Sequence, residues 1–414
     1  MNNVKPLIFF GTLLYPLYTL PWIFKSMIKN EYFGYFLFSL FMALLAYLWI
    51  PYELYDLVRH YERFDEVANL PFKQIYNTAD LRFFFDVYMW CIASLGLPKE
   101  FVPFSTIFIT YFLLFSSLKK IVDCQFKYSS FNQNISFKYL MLLGIILLFL
   151  QIRFVDSASG MRNYIAFSIF IFAIIDFYLN KKIILPIILI FVSLLFHMAV
   201  LPLILLFLLS ILFNIRKIFR IIFVISLLLL LTNQVNTIFI FIMDLLKPTL
   251  QAYGLYIDAY MSSEGVYGGD YYSHMNIQTY ILEKIILPAP FYLAGIYLFF
   301  VKKISFYQIK NFLYILFSFA VLVNFSRTMF MRYIYLFDVL FIFVMLFELR
   351  DKMNNVYRKV FIAFLFLFFV IGSFGGFYAS RDSYIPSWYK VLYIPAPIMF
   401  LESVDKNEYI HRGG

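Results

Sequence analysis

The stretch that decides the fold runs from Met161 to Leu209 and reads MRNYIAFSIFIFAIIDFYLNKKIILPIILIFVSLLFHMAVLPLILLFLL. It consists of apolar runs separated by short polar breaks. The hydrocarbon core of a bilayer is about 30 Å thick, so a helix that spans it needs about 20 mostly apolar residues. The stretch therefore predicts membrane-spanning helices that follow one another through tight turns.

The same pattern extends over the whole chain of 414 residues. Hydrophobic residues make up 63% of it, with 55 Phe and 34 Tyr, and the mean hydropathy is +0.81. Soluble domains are only about half apolar. No polar stretch is left that could form a separate soluble domain. The composition predicts an all-α, polytopic integral membrane protein with one transmembrane domain over residues 1–414.

About twelve spans fit the apolar pattern. They cover residues 5–24, 32–51, 101–118, 137–153, 160–179, 183–197, 199–213, 217–234, 284–301, 308–325, 330–348 and 358–378.

Short loops rich in Lys and Arg separate alternate spans, for example between Lys119 and Lys138. Because cytoplasmic loops carry an excess of these residues, the pattern places these loops inside and both termini outside. The apolar stretch LRFFFDVYMWCIASLG is predicted to lie along the outer interface without crossing, where Arg82 and Asp86 remain in water. Two short spans are predicted to form a hairpin with His197 at its outer bend.

The predicted outer face contains loops at about residues 52–100 and 247–283 and a tail at 379–414. The first loop is expected to begin with a juxtamembrane helix that carries polar side chains on one face, namely Asp56, Arg59, His60 and Arg63. The second loop is rich in tyrosine and includes Tyr271. Tyr and Trp combine a flat apolar ring with a polar group, so they suit sugar rings as well as lipid headgroups.

Several classes of function are disfavoured by the sequence. The formal net charge of +10 lies mainly in loops expected to face anionic lipid, and no nucleic-acid motif accompanies it. No glycine-rich nucleotide loop is present. Cys91 and Cys124 are predicted on opposite sides of the membrane, which excludes a disulfide between them. No spacing of acidic, His or Cys residues is diagnostic of a metal, so a metal-independent protein without a cofactor is expected.

Arg162 stands out because it is predicted in the first turn of an apolar helix. Asp156, Ser157 or Ser159 could cap that helix, which begins near Gly160. The N-terminal end of a helix carries partial positive charge, so a cation there is locally unfavourable. The position therefore predicts an anion nearby.

A later stretch, NFSRTMFMRYIYLFDV, repeats this arrangement. Ser326 is its predicted cap, and Arg327 and Arg332 follow. With Arg153 at the outer end of an earlier span, several guanidinium groups lie beside helix N-termini, which predicts a diphosphate site. The alternative for Arg153 and Arg327 is a snorkelling anchor at the membrane surface.

Three further polar residues have structural alternatives. His197 could be a packing histidine with its hydrogen bonds satisfied. Asp176 and Asp338 fall within predicted spans, where a charge is unfavourable, so each is expected to be paired inside the helix bundle.

These features together resemble the EpsG-type and Wzy oligosaccharide polymerases. The resemblance lies in an arginine helix start of the form R-x-x-x-A, a following Phe-His bend with a small residue, a first outer loop that reads YDLVRHYERF, and a late span that begins MRYIYLF. The matching residues are Arg162, Ala166, Phe196, His197, Ala199, Asp56, Tyr61, Arg332 and Tyr333.

The resemblance implies a bacterial inner-membrane enzyme whose active site faces the periplasm or the cell exterior. Such a polymerase transfers a growing glycan from an undecaprenyl diphosphate carrier to a sugar hydroxyl on a lipid-linked repeat unit of O-antigen, capsule or exopolysaccharide. Its expected partners are the undecaprenyl-diphosphate-linked oligosaccharide, membrane lipids and a chain-length regulator.

The predicted residues fit the chemistry of that reaction. The departing diphosphate needs positive charge, which arginines and helix N-termini could supply without a metal. The attacking hydroxyl needs a base, and the candidates are Asp56, His60 and His197, because a carboxylate or an imidazole is basic enough at neutral pH. Asp56 is preferred over His60. The predicted diphosphate and substrate contacts are Arg59, Arg153, Arg162, Arg327, Arg332, Tyr333 and Tyr271.

Two alternatives remain open at the level of sequence. An O-antigen ligase or another lipid-dependent glycosyl or acyl transferase differs from a polymerase chiefly in its acceptor. A flippase for the same lipid-linked sugars would not be an enzyme, and it should place polar groups near the bilayer midplane in repeated halves. Most charges here lie at the predicted outer rim, which favours a transferase over a flippase.

Overall fold

A computed structural model describes residues 5–53, 55–77, 83–127, 137–180, 183–213, 216–231, 241, 277–300, 307–324, 326–351, 356–383, 390, 394–401 and 409–410. Over these ranges the chain forms helices and loops, with one isolated parallel bridge between Tyr52 and Ile410. The predicted all-α class is confirmed. The chain divides into two compact units, residues 1–201 with 376–414 and residues 202–375.

The first unit holds the N-terminal helices, one 3₁₀ turn and a short helix from the tail. They are α1 (Lys5–Leu14), the 3₁₀ turn (Pro16–Thr19), α2 (Leu20–Ile28), α3 (Tyr32–Tyr47), α4 (Asp56–Ala68), α5 (Phe72–Asn77), α6 (Phe83–Ser94), α7 (Phe101–Lys127), α8 (Phe137–Gln151), α9 (Phe154–Ser159), α10 (Met161–Asn180), α11 (Ile184–Phe196) and α19 (Ala396–Met399).

The second unit holds most of the remaining helices and one π-helical segment. They are α12 (Val200–Leu212), α13 (Arg216–Leu231), α14 (Ile277–Ile281), the π segment (Leu282–Ile286), α15 (Ala289–Phe300), α16 (Tyr307–Leu322), α17 (Arg327–Asp351) and α18 (Val356–Ala379).

Five helices in the described part of the chain are long and apolar enough to cross a membrane. They lie at Phe101–Cys124, Met161–Asn180, Leu282–Phe300, Arg327–Phe347 and Val360–Tyr378. This identifies a membrane protein, but the predicted count of about twelve spans is not confirmed. Several predicted spans are short helices; α11 and α12 have 13 residues each, or about 20 Å at 1.5 Å per residue.

The first predicted span is wrong, because the chain folds back on itself there. The hydroxyl oxygens of Thr12 and Thr19 are 2.9 Å apart across the 3₁₀ turn, which begins at a proline. Lys5 Nζ lies 3.1 Å from a carboxylate oxygen of Glu31, beyond the end of α2. The segment is therefore a helical hairpin that starts and finishes at the same end of the unit, and the prediction of an outer N-terminus loses its support.

Charged side chains from α7 and α10 meet the α2–α3 loop at one end of the first unit, which we call the lysine end (Lys119 and Lys120). Lys119 Nζ donates to the backbone oxygen of Asn30 and pairs with Asp123, both at 2.9 Å. Lys120 pairs with Asp176, whose side chain is 3% exposed. The expectation that Asp176 is structurally paired is confirmed.

In the second unit, α17 is the central helix and α18 is peripheral. In their most apolar windows, 83% of α17 is buried but only 17% of α18. Asp338 lies on α17 at 1% exposure. Aromatic rings fill the core, where those of Phe291 and Phe317 stack with their centroids 4.3 Å apart. Large apolar side chains on α18 remain exposed and suit contact with lipid.

Candidate active site around α6 of the first unit

The juxtamembrane helix predicted in the first loop is present as α4. Leu57, Tyr61 and Phe64 follow the spacing of one helix face, and all three are buried. Burial raises the pKa of Tyr61 well above its ordinary value, so its phenol stays neutral. At the start of the helix Arg59 Nη1 lies 3.3 Å from Asp56 Oδ1, in an exposed pair that contributes little to stability.

Phe85 on α6 joins two of the predicted site residues. Its ring is 1% exposed. The imidazole of His60 meets it at 5.2 Å between ring centroids, with the planes at 61°. The guanidinium carbon of Arg162 lies 5.8 Å from the centroid of the same ring. One aromatic side chain thus brings together a histidine from α4 and an arginine from α10.

Asp86, the next residue on α6, is buried at 2% exposure, so the prediction that it stays in water is wrong. Its Oδ2 accepts hydrogen bonds from Arg63 Nη2 at 2.6 Å and from Arg63 Nε at 3.2 Å. This bond raises the pKa of Arg63 above its ordinary value. A carboxylate can be buried when a cation pairs with it in this way. Arg82 lies outside the described residues.

Helix α6 also contacts the bend that contains His197. The ring of Phe196 packs edge-on against Phe84 and Tyr88, at 4.9 and 5.8 Å between centroids. Burial raises the pKa of Tyr88 to about 12, which keeps its phenol neutral. Nδ1 of His197 accepts a 2.9 Å hydrogen bond from the backbone N–H of Ala199. In the neutral imidazole the proton is therefore on Nε2, so His197 is oriented as a donor there.

The predicted helix start at residue 160 is confirmed, since α10 begins at Met161 and places Arg162 in its first turn. Asp156 is engaged elsewhere, because its Oδ2 lies 2.7 Å from Arg153 Nη2. The hydroxyl of Ser157 donates to a backbone oxygen within α9 at 2.8 Å. Both side chains thus make their contacts at α9, the short helix before α10, and not at the N-terminus of α10.

The second unit contains the other predicted arginines. Arg327, at the start of α17, forms an ion pair with Glu283. Arg332 is half-buried, and within the described ranges no acidic side chain pairs with it. Tyr333 is 1% exposed, in a position that favours packing. Ser326 does not cap α17, since its buried hydroxyl has no hydrogen-bond partner among the residues that the structure describes.

The structure thus gathers some of the predicted site residues and leaves others apart. The first unit holds Asp56, Arg59, His60, Arg153, Arg162 and His197. The second unit holds Arg327, Arg332 and Tyr333. Tyr271 lies outside the described residues. In the described part of the chain, no group of three or more His, Cys, Asp or Glu side chains could hold a metal ion.

Sequence reasoning missed the residues of α6 that organise this site, chiefly Phe85, Asp86 and Tyr88. One signal was available. A carboxylate within an apolar 12-residue helix needs a cation from another helix, and Arg63 stands on the predicted polar face of α4.

Comparison with known proteins adds one finding. The family model of the EpsG family matches residues 31–389 of the chain. No curated protein and no solved structure matches it. The matched range includes all of the contacts around α6, from α4 to the His197 bend.

Proposed function

Because the chain belongs to the EpsG family, we propose that it is a polysaccharide polymerase that uses undecaprenyl-diphosphate-linked repeat units at the outer face of a bacterial inner membrane. The growing glycan would leave its diphosphate carrier and join a sugar hydroxyl of the next repeat unit. The observation that carries this proposal is Arg162, held in the first turn of α10 against the Phe85 ring that also contacts His60.

Arg162 suits the leaving group of this reaction. When the bond between the anomeric carbon and the diphosphate oxygen breaks, negative charge grows on the diphosphate. A guanidinium can bind phosphate oxygens through two parallel hydrogen bonds, and the N–H groups of a helix first turn favour the same anion. The contact with Phe85 and the place in the first turn of α10 therefore support Arg162 as the group that meets the diphosphate.

Among the three base candidates, the geometry favours His60. Asp56 is paired with Arg59 at the surface, and the neutral form of His197 presents N–H at Nε2. His60 is half-buried and contacts the same ring as Arg162. In the proposed reaction the acceptor hydroxyl gives its proton to His60 while its oxygen attacks the anomeric carbon, and the diphosphate leaves toward Arg162.

The proposal is tested by supplying the purified protein, in liposomes, with a lipid-linked repeat unit. The expected product is a ladder of chain lengths. Arg162→Ala should lower the rate by more than about a hundredfold, and Arg162→Lys, which keeps only the charge, by about tenfold. Arg220→Ala is the matched control, because Arg220 also lies over a ring, 5.5 Å from the centroid of Phe299, but on α13.

Other outcomes would identify the alternatives. A single transfer onto a different acceptor would mean a ligase. Movement of the lipid-linked sugar across the bilayer with no new glycosidic bond would mean a flippase. A ladder that forms equally well with Arg162→Ala would remove Arg162 from the mechanism.

A further inference from the structure

We infer that Phe85 is a positioning residue that sets the geometry of Arg162 and His60, and that the ion pair between Asp86 and Arg63 fixes the orientation of Phe85. This inference rests on the proposed function. It concerns α6, a helix of 12 residues that reaches only about 18 Å. Such a helix is too short to span the membrane, so side-chain contacts must orient it.

The contacts of the Phe85 ring depend on its being aromatic. The face of an aromatic ring is negative and attracts a guanidinium, while its edge is positive and meets other rings edge-on. Both contacts are close enough for these attractions: the guanidinium carbon of Arg162 lies 5.8 Å and the centroid of the His60 ring 5.2 Å from the centroid of Phe85. A leucine could fill the same space but would attract neither group in this way.

The pair between Asp86 and Arg63 explains why the ring points where it does. Two N–H groups of Arg63 converge on one oxygen of Asp86, so the pair resists rotation of α6 against α4. Successive residues of a helix lie about 100° apart around its axis. Fixing Asp86 toward Arg63 therefore also fixes the direction of its neighbour Phe85.

A second feature shows that α6 is held at several points. Trp90 Nε1 donates to the backbone oxygen of Leu70, beyond the end of α4, at 3.1 Å. The hydroxyls of Tyr88 and Ser105 form a hydrogen bond between α6 and α7. Anchored on both sides, α6 is a rigid support of the kind that a site requires, because an error of 1 Å in a reacting group can lower a rate by about a hundredfold.

The test compares Phe85→Leu with Phe85→Tyr, which keeps the aromatic ring. Phe85→Leu should lower kcat for polymerisation by about tenfold, while KM for the repeat unit changes by less than about twofold. Phe85→Tyr should stay within about threefold of the wild type. Phe115→Leu is the matched control, since Phe115 is fully buried among rings of α3 and α7. All rates are expressed per folded molecule, from thermal unfolding.

A binding measurement separates this inference from the proposed function. Undecaprenyl diphosphate is the probe, because it carries the charge that the leaving group acquires. Its Kd should rise about tenfold in Phe85→Leu and little in Phe85→Tyr. A wild type that makes no ladder overturns the proposed function, whereas the binding comparison still reports on Phe85. Equal kcat and equal Kd for Phe85→Leu and Phe85→Tyr, or losses matched by Phe115→Leu, overturn the positioning role.

Discussion

The ion pair between Arg63 and Asp86 yields a prediction about stability, because its two partners are buried to different degrees. The side chain of Asp86 is 3% exposed and that of Arg63 is 24% exposed. Arg63 also pairs with Glu66 at 2.8 Å, whose side chain is 62% exposed. Arg63→Leu therefore leaves a buried carboxylate without its cation, whereas Asp86→Asn leaves a cation with a second partner and access to water.

The two changes should differ in cost. Removing one partner of a buried pair costs about 3–5 kcal/mol when the other charge remains buried, and Arg63→Leu meets that condition. Asp86→Asn loses a charge-assisted hydrogen bond, which costs about 1.5–3 kcal/mol of stability. It leaves no buried charge without a partner. Oδ1 of Asp86 has no hydrogen-bond partner among the described residues. The hydrogen bonds of the buried carboxylate are thus incomplete. The free energy of unfolding of a variant with leucine at both positions should therefore lie within about 1 kcal/mol of that of the wild type.

Thermal unfolding in detergent, followed by intrinsic fluorescence, measures these differences. One kcal/mol corresponds to about 2–4 °C in Tm for a unit of this size. Arg63→Leu should lower Tm by about 6–20 °C, Asp86→Asn by less, and the double variant should recover most of the loss. Equal shifts for the two single variants, or a double variant as unstable as Arg63→Leu, would refute the reasoning.

Three further predictions concern the rest of the first unit. Gly34→Ala should lower Tm, because the new Cβ would lie 2.6 Å from the backbone nitrogen of Met27, which cannot rotate away; unfolding of the purified variant checks this. Phe400→Ala should cost about 2–3 kcal/mol, also read from unfolding, since it removes ring contacts with α3 and α7. A membrane-impermeant maleimide on intact cells should label Cys91, which is exposed, and leave Cys124 unlabelled; labelling of both would contradict the predicted topology.

Most helix positions could be predicted, because the bilayer demands long apolar runs and the sequence supplies them. Predicted starts at residues 32, 101, 137 and 160 match those of α3, α7, α8 and α10 within one residue. The hairpin of α1 and α2 was not predicted. Its apolar run has the length of a span, and only two prolines mark the place where it breaks. Length and hydropathy alone do not distinguish a crossing from a hairpin.

The candidate site was predictable in part. The polar face of α4 and the place of Arg162 followed from helix periodicity and from the glycine before the helix. The contact of Phe85 with Arg162 could not follow from either rule, because it joins helices far apart in sequence and the aromatic run of α6 has no periodicity that selects a face. Asp86 is the charged residue of α6, and its partner Arg63 became evident only from the packing of α6 against α4.

The position of the site along α7 connects the fold to the proposed function. Tyr88 of α6 contacts Ser105 near the start of α7, and the lysine end lies at Lys119 and Lys120. The two places are about 21 Å apart along the helix, at 1.5 Å per residue. Cytoplasmic loops are enriched in lysine, which supports the proposed placement of Arg162 and His60 toward the outer side of the membrane. In the proposed function, the lipid-linked repeat unit presents its sugar on that side after translocation.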